Sequence, residues 1–275
     1  MSLLILEGIE AGFGSNTVLH GVDLKVTKGS STGIFGLNGA GKSVTMKVIA
    51  GLVPARGGTV KFRDTDITGM SPENRARMGM AYMSQGRQLF GKLTVEQNIR
   101  LGTSVLRKRN RERSREVVRE VYERFPLLDD RRTQQAGSLS GGEQAMLAIG
   151  RALASDPEVL LVDEPSAGLA PAVVDSVFGM LQQLRTEGMT IVLVEQNVTF
   201  GFRLVDRAAI MQGGRIVYEG AVDALDTPKV ANLLGVGRLL GSRLNRVMKE
   251  RRSSRTKPTR TTRTRRTTSK KGARR

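Results

Sequence analysis

Apolar and polar positions alternate in two early runs, 3–9 and 17–27, with Gly-Phe-Gly-Ser-Asn (12–16) between them. A period of two broken by turn-forming residues predicts two strands. "STGIFG" (31–36) is a short apolar run ending in Gly, the pattern of a buried strand. Over 41–51 the spacing becomes helical and stops at Gly51, with Pro54 beyond. Residues 58–67 read as strand and turn. Ser71-Pro72-Glu73 has Ser at an N-cap and Pro at the first helical position. "GMAYM" (79–83) reads as another short strand.

The middle of the chain has a different rhythm. Thr94 and Gln97 stand at capping-box spacing, and residues 95–105 and 111–125 read as helices. In the second, Val117, Val118, Val121, Tyr122 and Phe125 form one apolar stripe among Arg and Glu. Residues 92–155 are therefore expected to form a helical insert, although 129–135 follow no assignable pattern. Strands and helices then alternate again: "VLLV" (159–162), helix 171–187, "TIVLV" (190–194), helix 197–205. A hairpin is expected over 207–219 around Gly213-Gly214, and Thr227-Pro228 opens a short last helix. Such alternation predicts an α/β fold with a mostly parallel sheet and helices on both faces.

Charge divides the chain further. Residues 241–275 hold 15 of the 44 Lys and Arg and one acid, a net of +14; residues 1–240 carry +4. Leu239, Leu240, Leu244, Val247 and Met248 lie among basic residues in the manner of a basic amphipathic helix. The Arg- and Thr-rich stretch after it lacks apolar residues to fold around and reads as a disordered tail. Three readings of that extension stand: a solvated tail, contact with anionic lipid, or contact with nucleic acid. Without Cys the chain has neither disulfides nor thiolate metal sites. No apolar run nears the ~20 residues of a membrane span, and "MSLLILEGIE" lacks a basic n-region and reads as a strand. His20 has no second His to share a metal and reads as a strand or turn residue.

"GLNGAGKS" (36–43) fits G-x-x-x-x-G-K-[ST] between a predicted strand and a predicted helix. Gly36, Gly39 and Gly41 allow the backbone to curl so that its N–H groups face a polyphosphate, and the helix N-terminus adds positive potential. Lys42 can reach the β- and γ-phosphates and the Ser43 hydroxyl can ligate Mg²⁺; Asn38 and Val44 complete the expected nucleotide-binding stretch. "VLLVDEP" (159–165) would deliver Asp163 and Glu164 to the C-terminal edge of a buried parallel strand. There Asp163 would hold Mg²⁺ and Glu164 would polarise the attacking water. "LSGGE" (139–143), far from Lys42 in sequence, is suited to close the exposed face of a γ-phosphate at a helix N-terminus.

The ordered set "GLNGAGKS", "YMSQGR" (82–87), "LSGGE", "VLLVDEP", "SAGLAP" (166–171) and "LVEQN" (193–197) resembles an ABC-transporter ATP-binding subunit over residues 1–235. The resemblance implies a phosphate-loop ATPase core with an antiparallel β subdomain and a helical subdomain, leaving 236–275 as an extension. It implies ATP and Mg²⁺ as cofactors and a head-to-tail dimer with a second ATPase subunit, itself or a paralogue. In that dimer Ser140, Gly141 and Gly142 hold the partner's γ-phosphate. Gln85 would touch Mg²⁺ and the water, and Phe13 would stack on adenine. Glu164, Gln196 and Gln85 then form the catalytic set, with Ser43, Gln85 and Asp163 at the metal. Where the broader family carries a His after the strand, this chain has Gln196, an amide that can donate a hydrogen bond but cannot become a cation.

"VEQN", "HGVDL" and "QGRQLFGKLTVEQNIRLG" (85–102) are similar to one of the two ATPases of branched-chain amino-acid importers. This implies transmembrane permease partners and a peripheral place on the cytoplasmic side of the cell membrane. The alternative is a soluble ABC ATPase acting on nucleic acid or ribosomes through its basic tail. A third reading is an ATP-binding regulator with weak hydrolysis.

Overall fold

The computed structural model describes residues 1–107, 110–234 and 246–247. The first half runs β1 (Ser2–Phe13), β2 (Asn16–Thr27), β3 (Ser31–Phe35), α1 (Lys42–Ile49), β4 (Ala55–Phe62), β5 (Thr65–Asp66), α2 (Pro72–Arg77) and β6 (Met80–Met83). Five helices follow: α3 (Val95–Gly102), α4 (Ser104–Arg107), α5 (Arg111–Arg124), α6 (Pro126–Asp130) and α7 (Gly141–Leu153). Then come β7 (Val159–Asp163), α8 (Pro171–Thr186), β8 (Thr190–Val194), α9 (Val198–Leu204), β9 (Arg207–Gln212), β10 (Arg215–Ala221) and α10 (Thr227–Leu233).

A six-stranded sheet in the order β10-β9-β3-β8-β7-β6 forms the centre, and all its pairings except β9–β10 are parallel. A four-stranded antiparallel sheet, β2-β1-β4-β5, lies apart from it in hydrogen bonding. The central strands are buried on both faces, and their side chains alternate between two cores. Leu160, Val162, Ile191, Leu193 and Phe35 join a core built with α5, α7, α8 and α9. Val159, Leu161, Val192, Val194 and Ile34 join a second core with α1 and the inner residues of β1 and β2. Both faces are thus covered, one by helices and the other by α1 together with the antiparallel sheet.

Several local expectations have visible causes. Ser71 caps α2 with Pro72 at its first position, and Thr94 and Gln97 make the reciprocal capping box of α3. In the stripe of α5, Val117, Val121, Tyr122 and Phe125 are buried, while Val118 is half-buried against the same core. The predicted helix 95–105 breaks at Thr103, whose hydroxyl donates to the Arg100 carbonyl. Residues 129–135 prove to serve α3: the Arg132 and Gln134 carbonyls accept from Glu96 and Val95, first-turn N–H groups without intrahelical partners. The Arg132 guanidinium also lies 4.1 Å from the Tyr122 ring centre. Of the extension over 236–275, only Arg246 and Val247 are among the described residues, and Val247 is buried in the helix-side core.

Arg75 is the one buried arginine among the described residues, and spacing did not reveal its role. Its guanidinium donates to five backbone carbonyls: Met70 (3.0 Å), Val48 (2.7 Å), Ile49 (2.8 Å), Ile67 (2.7 Å) and Thr68 (2.8 Å). Two of these close the C-terminal end of α1, where orphan carbonyls and the helix dipole both favour a cation. Arg75→Leu leaves all five carbonyls without that partner. The expected loss is about 3 kcal/mol, read as a lower urea midpoint at unchanged slope. Arg75→Lys recovers only part of it, because an ammonium lacks the planar fork.

Candidate functional site

The phosphate loop follows β3 and ends at Gly41, the N-cap of α1. Gly41 has φ +104°, and a Cβ there would lie 2.8 Å from Leu19 Cδ2, so both backbone and packing demand glycine. Lys42 is buried and folds over the loop, its ammonium donating to the Gly36 (2.9 Å) and Leu37 (3.0 Å) carbonyls. Burial lowers its pKa; the charges of Glu164, Asp163 and Glu195 oppose that shift.

Register brings the other groups to the same edge. Asp163 stands level with Val194, and Val194 with Ile34, while Met83 stands level with Val162. Asp163 is buried, accepting from Ser43 Oγ at Oδ1 (3.0 Å) and from Tyr82 Oη at Oδ2 (3.0 Å). Burial raises its pKa, and these two hydrogen bonds hold it down. Burial likewise raises the Tyr82 phenol, helped by the adjacent Asp163 charge, so Tyr82 remains a donor.

Glu164 leaves the strand at φ +48°, a left-handed conformation that costs a non-glycine residue about 1–2 kcal/mol. Its N–H donates to Val194 O (2.9 Å), which ties it to the end of β8. Its two carboxylate oxygens accept from Gln85 Nε2 and Gln196 Nε2, each at 2.8 Å. The turn after Gln85 has positive φ at Arg87 and Gln88, and Arg151 of α7 donates to both their carbonyls.

A cleft of about 260 Å³ brings together Asn38, Gly39, Gly41, Lys42, Ser43, Val44, Gln85, Glu164 and Gln196. Val18 forms its apolar wall. Phe13, at the end of β1, is 54% exposed and is not part of that lining. Ser140, Gly141 and Gly142 also lie outside it, at the start of α7. There Ser140 Oγ accepts from the Glu143 N–H, and Glu143 Oε2 accepts from the Ser140 N–H. This capping box leaves the N–H groups of Gly141 and Gly142 without a helical partner. Gly142 has a packing reason as well, since a Cβ would lie 2.9 Å from Val173 Cγ1 of α8.

The donor set fits Mg²⁺. The Asp163 carboxylate, Ser43 hydroxyl and Gln85 side-chain amide offer hard oxygens beside the loop. Strand–loop–helix with a buried lysine, and an acidic pair at the end of a parallel strand one place removed in the same sheet, define a phosphate-loop nucleotide-binding protein.

Comparison with known proteins carries this further. Residues 19–167 match the family model described as ABC transporter. The high-affinity branched-chain amino acid transport ATP-binding protein BraG of Pseudomonas aeruginosa is 40% identical over 229 residues, 83% of this chain and 97% of that protein. The lipopolysaccharide export system ATP-binding protein LptB of Haemophilus influenzae is 32% identical, over 80% of this chain and 91% of its own. A crystal structure of the ADP conformation of an ABC-transporter ATP-binding cassette superposes with a TM-score of 0.75 at 31% identity, covering 85% of this chain and 98% of that one. The chain belongs to the ABC transporter family of ATP-binding, ATP-hydrolysing proteins.

Spacing did not single out Tyr82, Arg151, Val18 or Glu195. The first three act through residues far away in sequence; Glu195 joins its own neighbours Gln196 and Asn197 to the distant Ser166, and as a polar residue directly after a buried strand it left a readable sign. Gly142→Ala should lower stability by about 1–3 kcal/mol through overpacking against Val173. Adding Val173→Ala should recover much of the loss in a thermal melt. Equal melting of Gly142→Ala and the wild type would remove the packing role.

Proposed function

We propose that this chain is the ATP-hydrolysing subunit of an ABC importer for branched-chain or related hydrophobic amino acids. The observation that carries the catalytic part is the Glu164 carboxylate, held by Gln85 and Gln196 in a cleft whose other wall is the phosphate loop. The likeness to BraG supports the cargo class. The likeness to LptB marks the alternative cargo against which that assignment is tested.

In this reading the loop N–H groups and Lys42 bind the ATP polyphosphate, and Val18 and Phe13 line the approach to the base. Lys42 exchanges its two carbonyl partners for phosphate oxygens. Ser43, Asp163 and Gln85 hold Mg²⁺, which neutralises phosphate charge when bound. Glu164 accepts a proton as water attacks the γ-phosphorus in line; the bond to the bridging oxygen breaks and ADP leaves. Gln196 orients Glu164 and donates toward the γ-phosphate. Packed head to tail against a second ATPase subunit, this chain's Ser140, Gly141 and Gly142 meet the γ-phosphate of the partner's ATP, the free N–H groups of Gly141 and Gly142 donating to it. Membrane subunits meet the Gln85 segment and the helices α3–α7. Among the described residues no helix is long and apolar enough to cross a membrane, and in this reading the chain sits peripherally on those subunits.

Glu164→Gln should keep ATP binding and lower turnover by about 10²–10⁴-fold. Turnover within threefold of wild type would remove Glu164 as the base. Ser140→Arg chains mixed with Lys42→Ala chains test the composite site, provided mixed dimers of this chain are demonstrated. Such a dimer should retain one intact site and measurable hydrolysis, whereas complete loss would mean that each chain closes its own site. The membrane subunits and solute-binding protein that copurify with the full-length chain identify the cargo, and an export assembly would refute import.

A further inference from the structure

We propose that Glu195 is a positioning residue for hydrolysis: its buried side chain fixes Gln196 against Glu164 and ties that pair to the turn at Ser166. The proposal rests on the reading of Glu164 as general base.

Glu195 is 1% exposed and directly follows β8, a strand buried at every position. Its Oε1 accepts three hydrogen bonds, from Ser166 Oγ (2.8 Å), the Gln196 N–H (2.8 Å) and the Asn197 N–H (2.9 Å). Gln196 is thereby held at both ends, by its backbone to Glu195 and by its amide to Glu164 Oε1. Asn197 is held twice as well, since its side chain accepts from the Phe200 N–H at the start of α9. Ser166 lies two residues beyond Glu164, and the Ala167 N–H returns to the Glu164 carbonyl. One oxygen thus joins the two chain segments that leave β7 and β8.

A turn alone explains this arrangement poorly. Glu195 Oε2 is buried with no hydrogen-bond partner among the described residues, which is a costly way to cap a loop. Burial raises the carboxyl pKa against these donated hydrogen bonds. What the acceptor secures is orientation. Glu164 sits in a left-handed backbone conformation, and a small drift of its carboxylate would misplace the attacking water. Misplacement of a reacting group by about 1 Å can cost 10²-fold in rate.

The test uses the full-length chain and compares Glu195→Ala, Glu195→Gln and Ser166→Ala for kcat, KM, ATP Kd and thermal midpoint. Glu195→Ala is expected to lower kcat about tenfold or more with ATP Kd within about threefold. Glu195→Gln keeps an acceptor oxygen at the same place and should stay within about threefold of wild type. Ser166→Ala removes one donor on a half-buried loop and should lower kcat about threefold, so it carries the test if the alanine at 195 does not fold. Unchanged kcat in Ser166→Ala or Glu195→Ala overturns the proposal. So does an equal loss in Glu195→Ala and Glu195→Gln, or a fall in thermal midpoint with kcat intact. Glu164→Gln assayed alongside separates the two claims. If it stays active, the base assignment fails. If it is inactive while Glu195→Ala is active, only the positioning role fails.

Discussion

The structure depends on the parallel register of four strand ends. Phe35, Val194, Asp163 and Met83 finish β3, β8, β7 and β6 at one edge, and each chain turns out of the sheet within a residue or two. The phosphate loop, Gln196, Glu164 and Gln85 are gathered there because adjacent strands end within one residue of one another. Side-chain alternation then assigns faces. Asp163 continues the face of Val159 and Leu161 and meets Ser43 at the start of α1. Glu195 follows Val194 on the opposite parity and meets Ser166. A slip of one residue would exchange these faces and separate Asp163 from Ser43, so burial of both sheet faces is what makes the chemistry possible.

The edge itself is locally unfavourable. It holds a lysine and three carboxylates in buried positions, one of them Glu164 at φ +48°, and one carboxylate oxygen without a partner among the described residues. Each feature opposes folding, and buried charges are weak sources of stability even when paired. They persist because the two cores on either side of the central sheet over-determine the strand positions. Arg75 contributes from a distance by closing the far end of α1, the helix whose N-terminus carries the phosphate loop.

What spacing could reveal was local or periodic. The phosphate loop, the acidic strand end, the capping boxes and the alternation of strands with helices are all written within a few residues of themselves. Tyr82 was hidden because one aromatic in "GMAYM" reads as a strand residue; only the β6–β7 register shows that it faces Asp163. Arg75 and Arg151 were hidden because helical arginines default to solvent, and their partners are backbone carbonyls that carry no sequence signal. The segment 129–135 had no pattern because its work is done by backbone groups at the start of α3. The resemblance puts Phe13 on adenine, but Val18, two residues into β2, is the side chain that walls the cleft.

Gly142 shows how far a motif can be read. Its lack of a side chain has an intramolecular cause in Val173, whose Cγ1 a Cβ would approach to 2.9 Å. That cause operates whether or not a phosphate ever arrives. The neighbouring capping box nevertheless spends its donors and acceptors on Ser140 and Glu143 and leaves the next two N–H groups at the helix start. Close packing of α7 on α8 and a helix start with two N–H groups free of helical partners are therefore produced by the same short sequence. The turn lies outside the cleft formed by its own phosphate loop. On the proposed reading the chain then carries two half-sites that cannot meet each other. In that reading hydrolysis requires a second subunit, and ATP is part of the proposed interface that joins them.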